Sequence, residues 1–436
     1  MIRTVTQTLV VQTGRLSSWI NEDARAHVAE YGWTFATEFI VLLCQLLTYR
    51  LAAHFLGKAG FSEYAVARRT ISFIYSLPLL GMAVALPRYV AHAIGAGDGP
   101  RSRRYFGAAV WCVGFGMFAC VMLMNVFPGM FAYLFFASKE YTSLVFPLSL
   151  LLIRLILHSL VYSYFRGQLA MKSANLLQLA NFGIVPLAAF VVFHSSVHAV
   201  LSALGIVTTF VAGVGLAFAP LGHIADRILP EAKELLRYGA QRIPGDFGQM
   251  ALFTLPVTFV AHSGGVQEAG YVAFGISVLN MMGSMFAPFG LILLPKAGRM
   301  LAGGDHTDLR QHVFQLAKVT AFVSLTLALF LEIFAGTLIK LYLGPNFTEA
   351  VFDLRILVLA ALPFCLYMVL RNLVDACYEN AVNTRNILFA LAMFLGGAIA
   401  LQLNHARLSY AMYALVASTY FLGVLTLLEA RKILSS

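Results

Sequence analysis

Two halves of this sequence share one pattern, and the pattern is apolar. Tyr31, Gly32, Gly57 and Tyr64 recur as Tyr238, Gly239, Gly264 and Tyr271, and Gly97-Asp98 recurs as Gly304-Asp305, each pair 207 residues apart. With a one-residue slip Leu86-Pro87-Arg88 matches Leu294-Pro295-Lys296, and further on Leu160-Val161 and Lys172 match Leu373-Val374 and Arg385. Duplicated hydrophobic bundles bind their ligand where the halves meet, near the bilayer midplane, and work by rocking one half against the other.

Composition identifies the solvent. Of 436 residues 60% are hydrophobic and 11% are charged, against roughly 25% charged in a soluble domain. The stretches 105–138 and 173–225 contain no Asp, Glu, Lys or Arg, and each exceeds the roughly 20 apolar residues that span a bilayer as a helix. The apolar runs predict an all-α integral membrane protein of about twelve transmembrane helices, at 31–54, 64–91, 105–127, 142–165, 176–194, 198–220, 241–262, 269–294, 312–336, 350–372, 385–403 and 408–430. The expected organisation is a tail over 1–30, an N-lobe over 31–222, a connector over 223–240 and a C-lobe over 241–436. Six is even, so both lobes enter from one side and are related by a pseudo-two-fold axis along the membrane normal.

Basic residues orient the chain. One set of loops carries only Lys58, Lys139, Lys340 and Arg407, whereas the other, with the termini, holds Arg101, Arg103, Arg104, Arg166, Lys172, Lys233, Arg237, Arg242 and many more. By the positive-inside rule both termini are expected to be cytoplasmic. The same asymmetry explains much of the net charge of +10 without nucleic acid. A cleavable leader is not expected, and Val5, Leu9, Leu16, Trp19 and Ile20 fit either a weak interfacial helix or a frayed tail.

Enzymatic chemistry has nothing to work with. No glycine-rich loop ends in Gly-Lys-Ser/Thr, and there is no nucleophile elbow. Cys44, Cys112, Cys120, Cys365 and Cys377 lack metal-site spacing and are expected to pack as small apolar residues. His194 and His198 fall in a short turn without a companion Glu, so turn histidines are favoured over metal ligands.

The informative residues are cations inside the spans. Arg50, Arg68, Arg69, Arg88, Arg154 and Arg355 lie within or just inside apolar helices, and each costs about 2.5 to 3.5 kcal/mol if it faces lipid at the centre. Arg154 is too deep to snorkel easily; Arg50, Arg68, Arg69, Arg88 and Arg355 lie nearer helix ends, where snorkelling is the bland alternative. Arg68 and Arg69 are about 100° apart on a helix, so only one of them is expected to touch cargo directly. Guanidinium groups hold phosphate bidentately, which makes the implied ligand an anion. Glu38, in the first third of the first helix, is either a coupling carboxylate for H⁺ or Na⁺ or a salt-bridge partner of an arginine. Pro78, Gly81 and Pro87 in the second helix and Gly283, Pro288, Gly290 and Pro295 in the eighth mark these two as the expected bending elements.

Several of these segments resemble a known family. The run Gly60-Phe61-Ser62-Glu63-Tyr64-Ala65-Val66-Ala67-Arg68-Arg69, then Leu86-Pro87-Arg88 and Gly95-Ala96-Gly97-Asp98, is similar to the second helix and following loop of polysaccharide transporters. So is Leu235-Leu236-Arg237-Tyr238-Gly239 leading into Arg242-Ile243-Pro244. These are the Wzx-type lipid-linked oligosaccharide flippases of the multidrug/oligosaccharidyl-lipid/polysaccharide exporter superfamily. The resemblance implies alternating access around a central cavity, a polyprenyl-diphosphate-linked oligosaccharide as substrate, a place in the cytoplasmic (inner) membrane, and polysaccharide polymerase and chain-length proteins as partners. It also implies that Arg69 lines the cavity, as an arginine does in the related lipid II flippases. The matching stretch of the second half has Gly275 and no arginine, so a symmetric cationic site is not expected, nor are the two extra helices those flippases often have. The alternatives on the same scaffold are a cation-coupled multidrug exporter, which Glu38 would serve, and a non-transporting membrane assembly partner.

Overall fold

The computed structural model describes the backbone of residues 2–218, 228–302, 306–378, 381–403 and 409–435, and within these the side chains of 32–216, 228–286, 289, 309–375, 377–378, 381–400 and 410–434. The side chains of the 1–30 tail and of Pro288, Gly290, Pro295 and Lys296, together with Arg227, Gly304-Asp305 and Arg407, lie outside them. Every regular element among the described residues is helical.

Unbroken helix runs over Ile2–Ile74 and Ile243–Ala302 apart from one residue each, Gly57 (φ 64°, ψ −169°) and Gly265 (φ 86°, ψ 173°). At 1.5 Å per residue a straight helix of 60 residues would be about 90 Å long, three times the roughly 30 Å hydrocarbon core. The glycines are where the chain turns back. Tyr49 lies 6.0 Å from both Phe61 and Tyr64, across separations that a straight helix would stretch to about 18 Å or more. Only glycine takes this backbone readily, which makes Gly265, not Gly264, the counterpart of Gly57. The repeat therefore slips by one residue at the turn itself.

Twelve membrane-crossing helices follow among the described residues: α1 (32–56), α2 (58–74, resuming as Met82–Gly95), α3 (Gly99–Val126), α4 (Val145–Gly167), α5 (Met171–Val192), α6 (Val197–Phe218), α7 (243–264), α8 (266–302), α9 (His306–Tyr342), α10 (Ala350–Val358 bent by 48° against Ala361–Cys377), α11 (Val382–Leu403) and α12 (Ser409–Ser435). The chain is a multi-pass membrane protein. Helices α1–α6 and α7–α12 form two lobes. The expected loop before residue 64 does not exist, because α2 starts directly after Gly57. We call the side where α1 and α7 begin the terminus face.

Helix α2 breaks as its Pro and Gly content predicts. After Ile74 the backbone turns through Leu80 (φ 52°) and Gly81 (φ 72°) before resuming at Met82, and Pro87 sits inside the resumed helix. A Cβ on Gly81 would stand 2.6 Å from the Gly239 carbonyl oxygen, so the break is also the seat of the connector helix Leu229–Ala240. That helix lies on the N-lobe through Arg104 to Glu231 (2.8 Å), Arg101 to Glu234 (3.2 Å) and a Tyr105 hydroxyl donating to Glu234. Gly283, by contrast, is helical and lets the Phe364 ring come within 2.3 Å of where a Cβ would be. Its role is close packing of α8 on α10.

The lobes are sealed on the face opposite the termini. Ser62 donates to the Gln267 carbonyl (3.1 Å), Lys58 pairs with Glu349 (3.3 Å), and the Tyr342 hydroxyl donates to the Leu46 carbonyl. A Cβ at Gly270 would fall 2.3 Å from Ser62 Cα, so α2 and α8 touch backbone to backbone. Phe61 adds a tilted ring contact to Phe274 and an edge contact to Phe347.

A cationic cavity between the lobes

Below this seal the lobes enclose a cavity of about 420 Å³. Its N-lobe wall carries Glu38 and Gln45 of α1, Arg68, Arg69 and Ser72 of α2, and Gln178 of α5. Its C-lobe wall carries Gln249 of α7 and Ser277, Asn280 and Ser284 of α8, with Met250, Phe253 and Met281 among them. Arg68 and Arg69 stand 11 and 12 residues beyond Gly57, about 17 Å along α2, which is close to mid-membrane.

Both arginines of the pair reach the cavity, where the sequence led us to expect one. The 100° between them is absorbed because the space beside α2 has two parts. Arg69 faces the central cavity alone, whereas Arg68 also borders a smaller chamber of about 70 Å³ inside the N-lobe. Arg68 is held between the Tyr49 and Tyr64 rings, 5.0 and 5.8 Å from their centres, and Tyr49 is fixed in turn by Ser277 (2.7 Å).

Arg154 is at the back of that chamber. It is 9% exposed, donates to the Asn181 carbonyl oxygen (2.8 Å) and lies 5.1 Å from the centre of the Phe182 ring. The carbonyl is available because α5 widens to a π-turn over Ala180–Ile184, and such bulges release helix carbonyls from the regular ladder. Asn181 also bonds His158 (3.0 Å), which bonds Gln178 (3.0 Å). None of the ion pairs among the described residues involves Arg68, Arg69 or Arg154.

The remaining candidates are elsewhere. Arg50 donates to the Leu341 and Tyr342 carbonyls (2.7 and 3.2 Å), capping α9 across the sealed face. Arg355 donates to the Glu332 carbonyl (3.2 Å), with the Glu332 carboxylate at 3.8 Å. Both are correctly placed near helix ends but structural in their contacts, so neither lines the cavity. Arg88 donates to the Tyr238 hydroxyl (2.8 Å) and borders a separate pocket of about 410 Å³ with Arg242, Asp375 and Tyr378 toward the terminus face. Glu38 lines the cavity beside Gln178, with Arg166 the nearby cation acting on it.

Reading the sequence for charge missed the neutral wall. Ser277, Asn280 and Ser284 are spaced three and four apart, which puts them on one face of α8, and that spacing was the available signal. His194 stacks on Phe55 at 4.4 Å in the outer turn.

Comparison with known proteins agrees with this architecture. The MatE family model matches residues 34–180. No curated protein sequence matches the chain. Among solved structures, an inward-facing multidrug resistance MATE family transporter of the MOP superfamily superposes with a TM-score of 0.71 at 14% identity, covering 91% of this chain and 98% of its own. An outward-facing multidrug resistance MATE family transporter gives 0.67 at 15% identity, with 93% and 95% covered. A MOP superfamily transporter from Pyrococcus furiosus, described as having a binding pocket of reversed polarity, also gives 0.67 at 15% identity, with 93% and 95% covered. The fold is that of the MATE transporters, twelve helices in two lobes.

Proposed function

We propose that this chain is an alternating-access transporter of the MatE type whose cargo carries negative charge. The observation that carries this reading is the cavity's polarity: Arg68 and Arg69 at mid-membrane, Arg154 behind them, and one carboxylate, Glu38. Guanidinium groups without carboxylate partners attract phosphate or carboxylate in a partly dry site. The opposite wall of Gln249, Ser277, Asn280 and Ser284 offers neutral donors and acceptors, suited to hydroxyls and amides. An amphiphile with an acidic group on one side and a polar neutral portion on the other matches both walls.

Two cargo classes meet that description. The solved structures of this fold named as multidrug transporters give the exporter reading the more direct support, and the cavity's charge narrows it to anionic compounds. A polyprenyl-diphosphate-linked oligosaccharide, which the sequence resemblance implies, fits the arginine wall with its diphosphate and the neutral wall with its sugars. In both cases we assign the chain no chemistry on its cargo, and polymerase or chain-length partners belong only to the second. Glu38 is the proposed coupling carboxylate, set beside Gln178 and Arg166.

Proteoliposomes separate these readings. With fluorescent anionic amphiphiles, a cationic dye and a labelled polyprenyl-diphosphate saccharide presented in parallel, anionic cargo should cross and the cationic dye should not. Transport of the cationic dye alone would remove the arginine wall from the cargo site.

A further inference from the structure

The small chamber behind Arg68 differs from the central cavity in what it offers a ligand. Two guanidinium groups border it, and none of the described ion pairs serves either. Burying a cation without an anion is expensive by several kcal/mol. Tyrosine and phenylalanine rings and the Asn181 carbonyl offset part of that. Arg154 Nε remains buried with no protein acceptor among the described residues, although the residue is nine-tenths buried.

From this geometry we infer that the chamber is a binding site for one small monovalent anion of the halide class, held by Arg154 Nε and the Arg68 guanidinium. The small volume and the apolar share of the wall favour a halide over a phosphate. About 70 Å³ holds a halide and a few waters, since one water needs roughly 10 to 15 Å³ by the same measure, and it is far below the central cavity. Phosphate carries between one and two charges at neutral pH and is strongly hydrated, so leaving water for a partly apolar chamber costs it more than a halide. The Thr48 and Ser72 hydroxyls already donate to the Cys44 and Arg68 carbonyls, and Leu151, Leu155 and Leu204 make much of the remaining wall apolar. A weakly hydrated ion that needs charge more than directed hydrogen bonds suits these walls.

The occupant would leave Arg69 as the uncompensated cation facing the cavity, with Arg68 shared between the two spaces. Arg154 borders the chamber and not the central cavity, and Arg69 the reverse, so loss of halide binding in Arg154→Met and loss of cargo transport in Arg69→Ala are read separately.

Thermal unfolding of the purified full chain, measured at constant ionic strength in sodium gluconate, chloride, bromide and phosphate, reads the site directly. Chloride and bromide should raise the midpoint saturably over gluconate by about 2 °C or more at concentrations well above their dissociation constants, and the rise should persist when phosphate is present to occupy the central cavity. Arg154→Met should abolish the halide response and Arg355→Met should keep it. Because Arg154→Met removes a buried group and risks misfolding, Arg68→Met and a bromide anomalous signal from crystals of the unaltered protein are read alongside, with the peak expected against Arg154 Nε. No halide response in the unaltered protein, a halide response that survives in a folded Arg154→Met, or no bromide at Arg154 would each overturn the site.

Discussion

At the scale of single residues, burial and partners separate arginines that look alike in sequence. Arg69 and Arg355 both sit in apolar helices, yet Arg69 lines the central cavity and Arg355 lies against Glu332. Arg69→Ala is therefore expected to lower transport of anionic cargo about ten- to a hundredfold, the loss of one charge-assisted hydrogen bond worth roughly 1.5 to 3 kcal/mol. Arg355→Ala, an exposed pair worth at most about 1 kcal/mol, should stay within about twofold. Initial rates in proteoliposomes, normalised to inserted protein, check both, and equal effects of the two would mean that cavity position does not matter.

At the scale of elements, the glycines that matter are those where two helices touch. Gly270 has no room for a side chain because α2 lies against it at Ser62. Val at this position would force α2 and α8 apart on the sealed face while leaving each helix intact. Gly270→Val is expected to shift the protein toward an arrangement open on that face, seen as a longer spin-label distance between neighbours of Lys58 and Glu349 and a large loss of transport. An unchanged distance would show that the seal does not depend on this approach. Gly265 works differently, since its backbone at φ 86° sets the turn between α7 and α8. The sequence pointed to Gly264, because the repeat was aligned on identities and a slip of one residue is invisible until the turn geometry shows which glycine is left-handed.

At the scale of the whole molecule, one of the contacts that join the lobes, Lys58 to Glu349, contains a group whose charge changes with pH. Glu349 accepts from the Tyr271 hydroxyl (3.1 Å) and from Lys58 (3.3 Å), and these bonds hold its carboxyl below the ordinary value of 4.5. Since the pKa is lowered in the closed form, the contact's contribution is fully present above the ordinary value and is lost as pH falls through the lowered one. The spin-label distance across the seal, measured between neighbours of Lys58 and Glu349, should be constant from about pH 8 to 5 and lengthen only below about pH 4. In Glu349→Gln the pH response should vanish. Opening at pH 6 would point to another titrating group. The cavity sits on the terminus side of this seal, where Phe35 meets Phe289 and Phe73 meets Phe247 across the lobes.

Sequence alone determined the solvent, the helix count and the duplication, because a bilayer requires about 20 apolar residues for each crossing and so writes each span into the chain. It also marked Arg154 and the Arg68-Arg69 pair, since cations in apolar helices are too costly to be incidental. What it did not determine was which of those cations share a space. Position and residue type did not separate Arg50 and Arg355 from Arg69, which only the family resemblance singled out, because snorkelling, capping a neighbouring helix and lining a cavity all use the same residue type at similar depth. Only the tertiary structure decided that Arg68 borders two compartments and that the facing wall is neutral, since both depend on how far one lobe stands from the other and not on any local pattern.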